Sequence, residues 1–135
     1  MRENLNTILL IDDDPDDRDL LEEAFSNIDA NINIQPAASV MEAMDYLQQL
    51  SPGDLPCLMI IDYEMPELNG VKGLELIYQS EIYKNIPAVV WSTSSLLKYR
   101  EACVKMGSKA YFSKPHTIED YKSLAMNMYS FRTCF

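Results

Sequence analysis

The sequence predicts an α/β fold: a parallel five-stranded sheet, doubly wound, with helices on both faces. Two observations carry this. Strand-like and helix-like patterns alternate five times along 135 residues, which implies parallel strands joined by crossover helices. Three of the strand runs, Ile8-Leu9-Leu10-Ile11, Cys57-Leu58-Met59-Ile60-Ile61 and Ala88-Val89-Val90-Trp91, are apolar without alternation. Strands covered on both faces read this way. Right-handed crossovers leave few topologies to choose from.

Each element has its own local signal. Strand 1 is expected over 7–11. Asp14 then suits an N-cap, with Pro15 at the first helical position, where its missing N–H costs nothing. Leu20, Leu21, Ala24, Phe25 and Ile28 form the apolar stripe of helix 1. Ile32 and Ile34 alternate with polar residues up to Pro36, which predicts a short strand 2 at a sheet edge. Ser39 and Glu42 make a capping-box pattern for helix 2, with Val40, Ala43, Met44, Leu47 and Leu50 as its stripe. Ser51-Pro52-Gly53-Asp54 breaks the chain. Strand 3, over 57–61, runs into Asp62. A loop over 63–70 leads to helix 3, over 71–80. Strand 4, over 88–91, ends in Ser92-Thr93-Ser94-Ser95, where Ser94 or Ser95 is a better helix cap than Ser92. Helix 4 is expected over 96–106, with Gly107 as its stop. Strand 5, over 110–113, is followed by Lys114-Pro115. Thr117 caps helix 5, whose stripe is Ile118, Tyr121, Leu124, Ala125 and Met128.

Composition narrows the function. The length suits one domain over 1–135, with its core at about 6–129, and the fifth helix nearly exhausts the chain. There are 11 Lys and Arg against 21 Asp and Glu, a formal charge of −10. Such a surface repels nucleic-acid phosphates and anionic membranes, and no basic run offsets it. Cys57, Cys103 and Cys134 are too few and too scattered for a disulfide framework or a zinc site. They read as small buried hydrophobes in a reducing compartment. No apolar stretch approaches the ~20 residues of a membrane span. Met1-Arg2-Glu3-Asn4 is followed by no signal-peptide core. A cytoplasmic protein is expected.

The chemistry gathers at the strand ends. Ile8–Ile11 runs straight into Asp12-Asp13-Asp14. Adjacent carboxylates repel, so such a cluster at a strand end favours a divalent cation, and open α/β sheets bind ligands beyond the carboxyl ends of their strands. Asp62, Ser92 with Thr93, and Lys114 end three further strands, and a parallel sheet brings all four ends to one rim. Asp14, Asp16, Asp17 and Asp19 read as carboxylates favoured by the N-terminal dipole of helix 1. His116 reads as a loop residue and Trp91 as core.

In these features the chain resembles the receiver domains of bacterial response regulators, the chemotaxis-type signalling module, over about residues 6–129. The matching residues are the acid pair Asp12-Asp13, the aspartate of Asp62-Tyr63-Glu64-Met65-Pro66, the hydroxyl of Ser92, and Lys114-Pro115, in order and with family-like gaps. The resemblance implies a flavodoxin-like (βα)5 fold with strand order 2-1-3-4-5. It implies that Asp62 accepts a phosphoryl group from the phosphohistidine of a histidine kinase or phosphotransfer protein, with Mg²⁺. Asp13, Asp62 and the backbone carbonyl of Glu64 would ligate the metal directly, and Asp12 mainly through water. Lys114 would balance the phosphoryl charge and Ser92 would bond a phosphoryl oxygen. Tyr111 would be the strand 5 aromatic that turns inward, remodelling the face of helix 4, strand 5 and helix 5 for an unknown downstream protein. A cis peptide before Pro115 is also implied. Phosphoryl transfer needs mostly positioning and charge neutralisation, and Mg²⁺ prefers hard oxygen ligands.

Two departures from the family stand out. Thr93 stands where a very small residue is common, and Glu64 and Ser94 stand where relatives tune hydrolysis, so a phosphorylated lifetime unlike that of fast-cycling relatives is expected. Two other functions compete. Asp62-x-Glu64 loosely matches the nucleophile and second acid of haloacid-dehalogenase-type Mg²⁺-dependent phosphatases, but those place the nucleophile after their first strand and add a cap domain. A receiver-like interaction module that never takes phosphate is the other. Homodimerisation through the helix 4 to helix 5 face is compatible with the sequence but not specified by it.

Overall fold

The structure, a computed structural model, describes residues 6–133. The readings made on residues 1–4 and on Cys134 lie outside them. The order is β1 (Thr7–Ile11), α1 (Pro15–Ile28), β2 (Asn33–Ala37), α2 (Val40–Gln48), a 3-10 turn (Pro52–Asp54), β3 (Leu58–Asp62), α3 (Gly70–Tyr78), β4 (Ala88–Ser92), α4 (Leu97–Met106), β5 (Ala110–Ser113) and α5 (Ile118–Tyr129). All pairings are parallel and the strand order is 2-1-3-4-5, as the resemblance implied.

The period of two along each strand divides the interior into two cores. Leu9, Ile11, Met59, Ile61, Ala88 and Val90 face α2, α3 and α4. Ile8, Leu10, Leu58, Ile60, Val89 and Trp91 face α1 and α5. Every residue of β1, β3 and β4 is buried, which is why these runs show no alternation. β2 is an edge strand, where Pro36 costs the ladder little. The free thiols of Cys57 and Cys103 are buried, and burial pushes Cys103 up to about 11, far from thiolate reactivity. Trp91 is fully buried, and its indole N–H has no hydrogen-bond partner among the described residues.

Caps fix where the helices begin. Asp14 accepts from the Asp16 and Asp17 amides at 2.9 and 3.4 Å. Ser39 accepts from Glu42 N and Thr117 from Asp120 N, each at 3.1 Å. Asn69, within the expected loop, caps α3 through Lys72 N at 3.0 Å and starts it at Gly70. Gly107 ends α4 in the left-handed region, φ +118°, which a Cβ disfavours.

Three expectations need correction. Neither Ser94 nor Ser95 caps α4; Leu96 holds the cap position with no side-chain bond, and Cys103 is the one buried residue of that helix. Leu20 and Ile118 lie at the rims of their stripes and are exposed, Ile118 by 69%. The Lys114–Pro115 peptide is trans, since no described peptide is cis; trans is the lower-energy isomer of an X–Pro bond.

Candidate functional site

The sheet register assembles the site. Ile11 pairs with Ile61, Asp62 with Trp91, and Ser92 with Ser113, so Asp12, Asp62, Ser92 and Lys114 arrive at one rim. Main-chain bonds lock these ends: Asp12 N to Ala37 O at 3.0 Å, Tyr63 N to Trp91 O at 2.9 Å and Lys114 N to Ser92 O at 2.7 Å. The pleat then sorts them. Asp12, Asp62 and Lys114 continue the phase of Leu10, Ile60 and Phe112, toward α1 and α5. Ser92 continues the phase of Val90 and lies with Tyr111, toward α4.

Asp12, Asp13 and Asp62 each offer a carboxylate oxygen, all within 4.8 Å of one another. Asp13 is exposed, while Asp12 and Asp62 are buried. Asp12 is held from both sides: Oδ1 accepts from Asp14 N at 2.9 Å and Oδ2 from Lys114 Nζ at 3.0 Å. Arg18 fixes the same corner by donating to the Asp12 carbonyl at 2.6 Å. Asp62 Oδ1 accepts from Glu64 N at 3.2 Å and lies 3.3 Å from Lys114 Nζ. Burial, and then the charge of Asp12, push Asp62 up to about 7 against the pull of Lys114. Burial raises Asp12 as well. The cluster is thus short of positive charge, and its donors are all hard oxygens, which fits a small divalent cation such as Mg²⁺. A cleft of about 330 Å³ opens beside Asp13, against Ser39, Met41, Met65 and Leu68.

Lys114 is nearly enclosed. Burial opposes its charge, but Asp17, Asp12 and Asp62 outweigh burial and hold the ammonium above the ordinary lysine range. Its Nζ also lies 4.7 Å from the Trp91 ring centroid. The shortest of its ion pairs, 2.8 Å, is to Asp17. Asp17 stands in the first turn of α1, where the helix dipole favours it as expected, and it also pairs with the site lysine.

Ser92 is fully buried. Its hydroxyl donates to Glu64 Oε1 and accepts from Ser94 N at 2.9 Å. The same Glu64 carboxylate accepts from the Thr93 hydroxyl through Oε2 and from Thr93 N, at 3.0 Å, through Oε1. Burial works against the Glu64 charge, but the Ser92 and Thr93 bonds prevail and hold its carboxyl below the usual range. Tyr111 is buried and donates to the Ser94 carbonyl at 2.7 Å. Tyr63, next to Asp62, stacks on Tyr99 of α4 at 4.4 Å and meets Tyr111 edge-on at 6.5 Å. Asp12, Asp13, Asp62 and Lys114 therefore converge, Ser92, Glu64 and Tyr111 are linked beside them through the loop after β4, and His116 stays in an exposed loop.

A family model described as the response regulator receiver domain matches residues 8–125. The chain is 28% identical over 122 residues to the response regulator Rre1 of Synechocystis, covering 90% of this chain and 51% of that one, so it spans about half the length of that relative. It is 27% identical to the two-component response regulator ARR6 of Arabidopsis thaliana, over 87% of this chain and 66% of that protein. Among solved structures, the phosphorylated cyanobacterial phytochrome response regulator RcpA superposes with TM-score 0.82 at 26% identity, covering 93% of this chain and 92% of that one. The Mn²⁺-bound response regulator Rcp1 gives 0.78 at 26% identity, covering 93% of each chain.

Proposed function

The chain belongs to the response regulator receiver domain family, and on that premise we propose that it is a phosphorelay switch in which Asp62 carries the phosphoryl group. The observation that carries this reading is the meeting of Asp62, Asp12, Asp13, Lys114 and Ser92 at one sheet rim. Asp62 attacks the phosphorus of a partner's phosphohistidine through a carboxylate oxygen. A P–O bond forms, the P–N bond breaks, and the imidazole leaves with that electron pair and takes a proton from solvent. The partner is a histidine kinase or a phosphotransfer protein in the cytoplasm.

Asp13, Asp62 and the Glu64 carbonyl would hold Mg²⁺, with Asp12, already engaged by Asp14 N and Lys114, acting through water. Mg²⁺ supplies charge neutralisation on the transferring oxygens. Lys114 adds a buried ammonium to the same oxygens. Phosphorylated RcpA and Mn²⁺-bound Rcp1, both similar to this chain, support both halves of the reading.

The output is a population shift. A dianion on Asp62 bonds the Ser92 hydroxyl, and the loop after β4 carries that contact to Tyr111 through the Ser94 carbonyl and to α4. With a single buried residue, α4 is the helix least fixed by packing. The downstream partner would read the α4–β5–α5 face.

The test is to incubate the protein with acetyl phosphate, with and without Mg²⁺, and weigh it intact. One phosphoryl group, added only with Mg²⁺ and absent in Asp62→Asn, is expected. No adduct under any condition would leave a phosphate-independent module. Sustained turnover of a phosphate ester would favour the phosphatase.

A further inference from the structure

The Ser92 hydroxyl that the switch needs for a phosphoryl oxygen is already taken, with its neighbour Thr93, by a carboxylate of the same chain. Ser92 Oγ and Thr93 N both donate to Glu64 Oε1, and Thr93 Oγ1 donates to Oε2. We propose that the Glu64 side chain is a positioning residue that competes with the phosphoryl group for Ser92 and Thr93, so that phosphorylation exchanges one anion for another. This inference rests on the phosphorelay reading.

The competition follows from counting hydrogens. A serine hydroxyl has one to donate, and so does a backbone amide. The lone-pair side of Ser92 Oγ is already engaged by Ser94 N at 2.9 Å. Neither donor is available to a phosphoryl oxygen while Glu64 holds it. Charge adds to the exclusion, because a dianion on Asp62 repels the Glu64 carboxylate that shares its donors.

Glu64 is built to let go. Its amide is fixed to Asp62 Oδ1 at 3.2 Å, so its main chain stays at the rim. Its side chain, however, belongs to an exposed residue outside any helix or strand. It swings to solvent by rotamer change alone, leaving the backbone carbonyl where the metal reading needs it.

The exchange has a consequence for the switch. Glu64 draws the start of the loop after β4 toward the site before any phosphate arrives. Tyr111 is buried and bonded to Ser94 O in the same arrangement. Thr93 is the residue that makes the grip two-sided: its hydroxyl engages the second carboxylate oxygen, a contact that glycine or alanine could not offer. Charge-assisted hydrogen bonds are the strong ones, and breaking them opposes phosphorylation.

The test uses beryllofluoride, a phosphoryl-like anion, titrated with excess Mg²⁺ into native protein, Glu64→Gln and Glu64→Ala, with Trp91 fluorescence as readout. Both variants are expected to bind about tenfold more tightly, the factor set by one charged hydrogen bond. The gain from Glu64→Gln should shrink in a Thr93→Val background, which removes the Thr93 hydroxyl donor while keeping shape. Without ligand, the Thr93 amide proton should move upfield in Glu64→Ala, a signature that general destabilisation does not give; melting curves check the fold. Native-like or weaker binding by both Glu64 variants overturns the competition, as does a gain unchanged by Thr93→Val. If no protein binds beryllofluoride and acetyl phosphate leaves the mass unchanged, the phosphorelay reading itself fails and the inference goes with it.

Discussion

The Lys114 ammonium lies 2.8 Å from the Asp17 carboxylate, an ion pair that ties the first turn of α1 to the residue that follows β5. Lys114 also meets Asp12 at 3.0 Å and Asp62 at 3.3 Å. Asp17→Asn therefore leaves two carboxylates on the lysine and does not strand a buried charge. A loss of about 1 kcal/mol is expected, between the values for exposed and buried pairs. Thermal melts should fall by roughly 4 °C, with Mg²⁺-dependent labelling of Asp62 retained. An unchanged melting curve would show that the pair holds nothing.

The pairing of Asp17 with Lys114 was hidden in the sequence because the first turn of α1 is crowded with acids, and the dipole explains any of them. The usable signal was the period. Asp17 stands one turn before Leu21, and Leu21, Ala24 and Phe25 are the buried face of α1. An acid at the head of a core-facing stripe needs a partner, whereas Leu20, placed in that stripe, lies at its exposed edge. The fold was legible because β1, β3 and β4 are buried on both faces and announce it by composition. Asp12, Asp62, Ser92 and Lys114 were legible because each ends a strand or directly follows one. The side-chain role of Glu64 was not, since it depends on the loop after β3 meeting the loop after β4 in space.

The acid cluster makes the metal-free protein sensitive to pH. Burial and then Asp12 raise Asp62 from an unfolded value of 3.8 to about 7. Below 3.8 both states hold the proton and the group costs nothing. As pH rises to about 7, the unfolded chain ionises first, so metal-free stability falls across that window and levels off above it. Lys114 opposes the rise, and Asp12, itself raised, adds to it. Asp62→Asn should equal the native protein at pH 4 and exceed it at pH 8, by on the order of 4 kcal/mol in chelator. Mg²⁺ should close that gap from the native side and bind more tightly as pH rises through 7. Parallel pH–melting profiles of the two proteins would refute the assignment.

Tyr111 donates to the Ser94 carbonyl at 2.7 Å, and its ring meets Tyr63 edge-on. Tyr111→Phe keeps the ring and deletes one buried bond, at a cost of about 1 kcal/mol. Because the lost bond joins β5 to the loop before α4, hydrogen exchange should accelerate in α4 amides and stay unchanged in β1 and β3. Phosphorylation of Asp62 should persist, since no atom of Tyr111 is needed for transfer. Uniform acceleration across the sheet would mean that the tyrosine supports the core and not this connection.

Gly70 sets how closely α3 approaches β3, the strand that ends in Asp62. A Cβ there would lie 3.0 Å from Tyr63 Cα and 3.4 Å from both the Asp62 carbonyl and Val90 Cγ1. The nearest neighbour is main chain, which cannot rotate away, and Gly70 N is bonded to Tyr63 O at 2.9 Å. Gly70→Ala should therefore cost about 1–3 kcal/mol, as overpacking does, despite alanine's better helix propensity. The strain falls on the residue after Asp62, so Mg²⁺ affinity should weaken with it. Gly53→Ala is the control: its Cβ would meet nothing within 4 Å and its φ is not positive. That variant should be neutral or gain about 0.4–1 kcal/mol through the unfolded chain. Equal melting temperatures for the two variants would show that the loop after β3 yields to α3, and that close packing at Gly70 does not hold Asp62 in place.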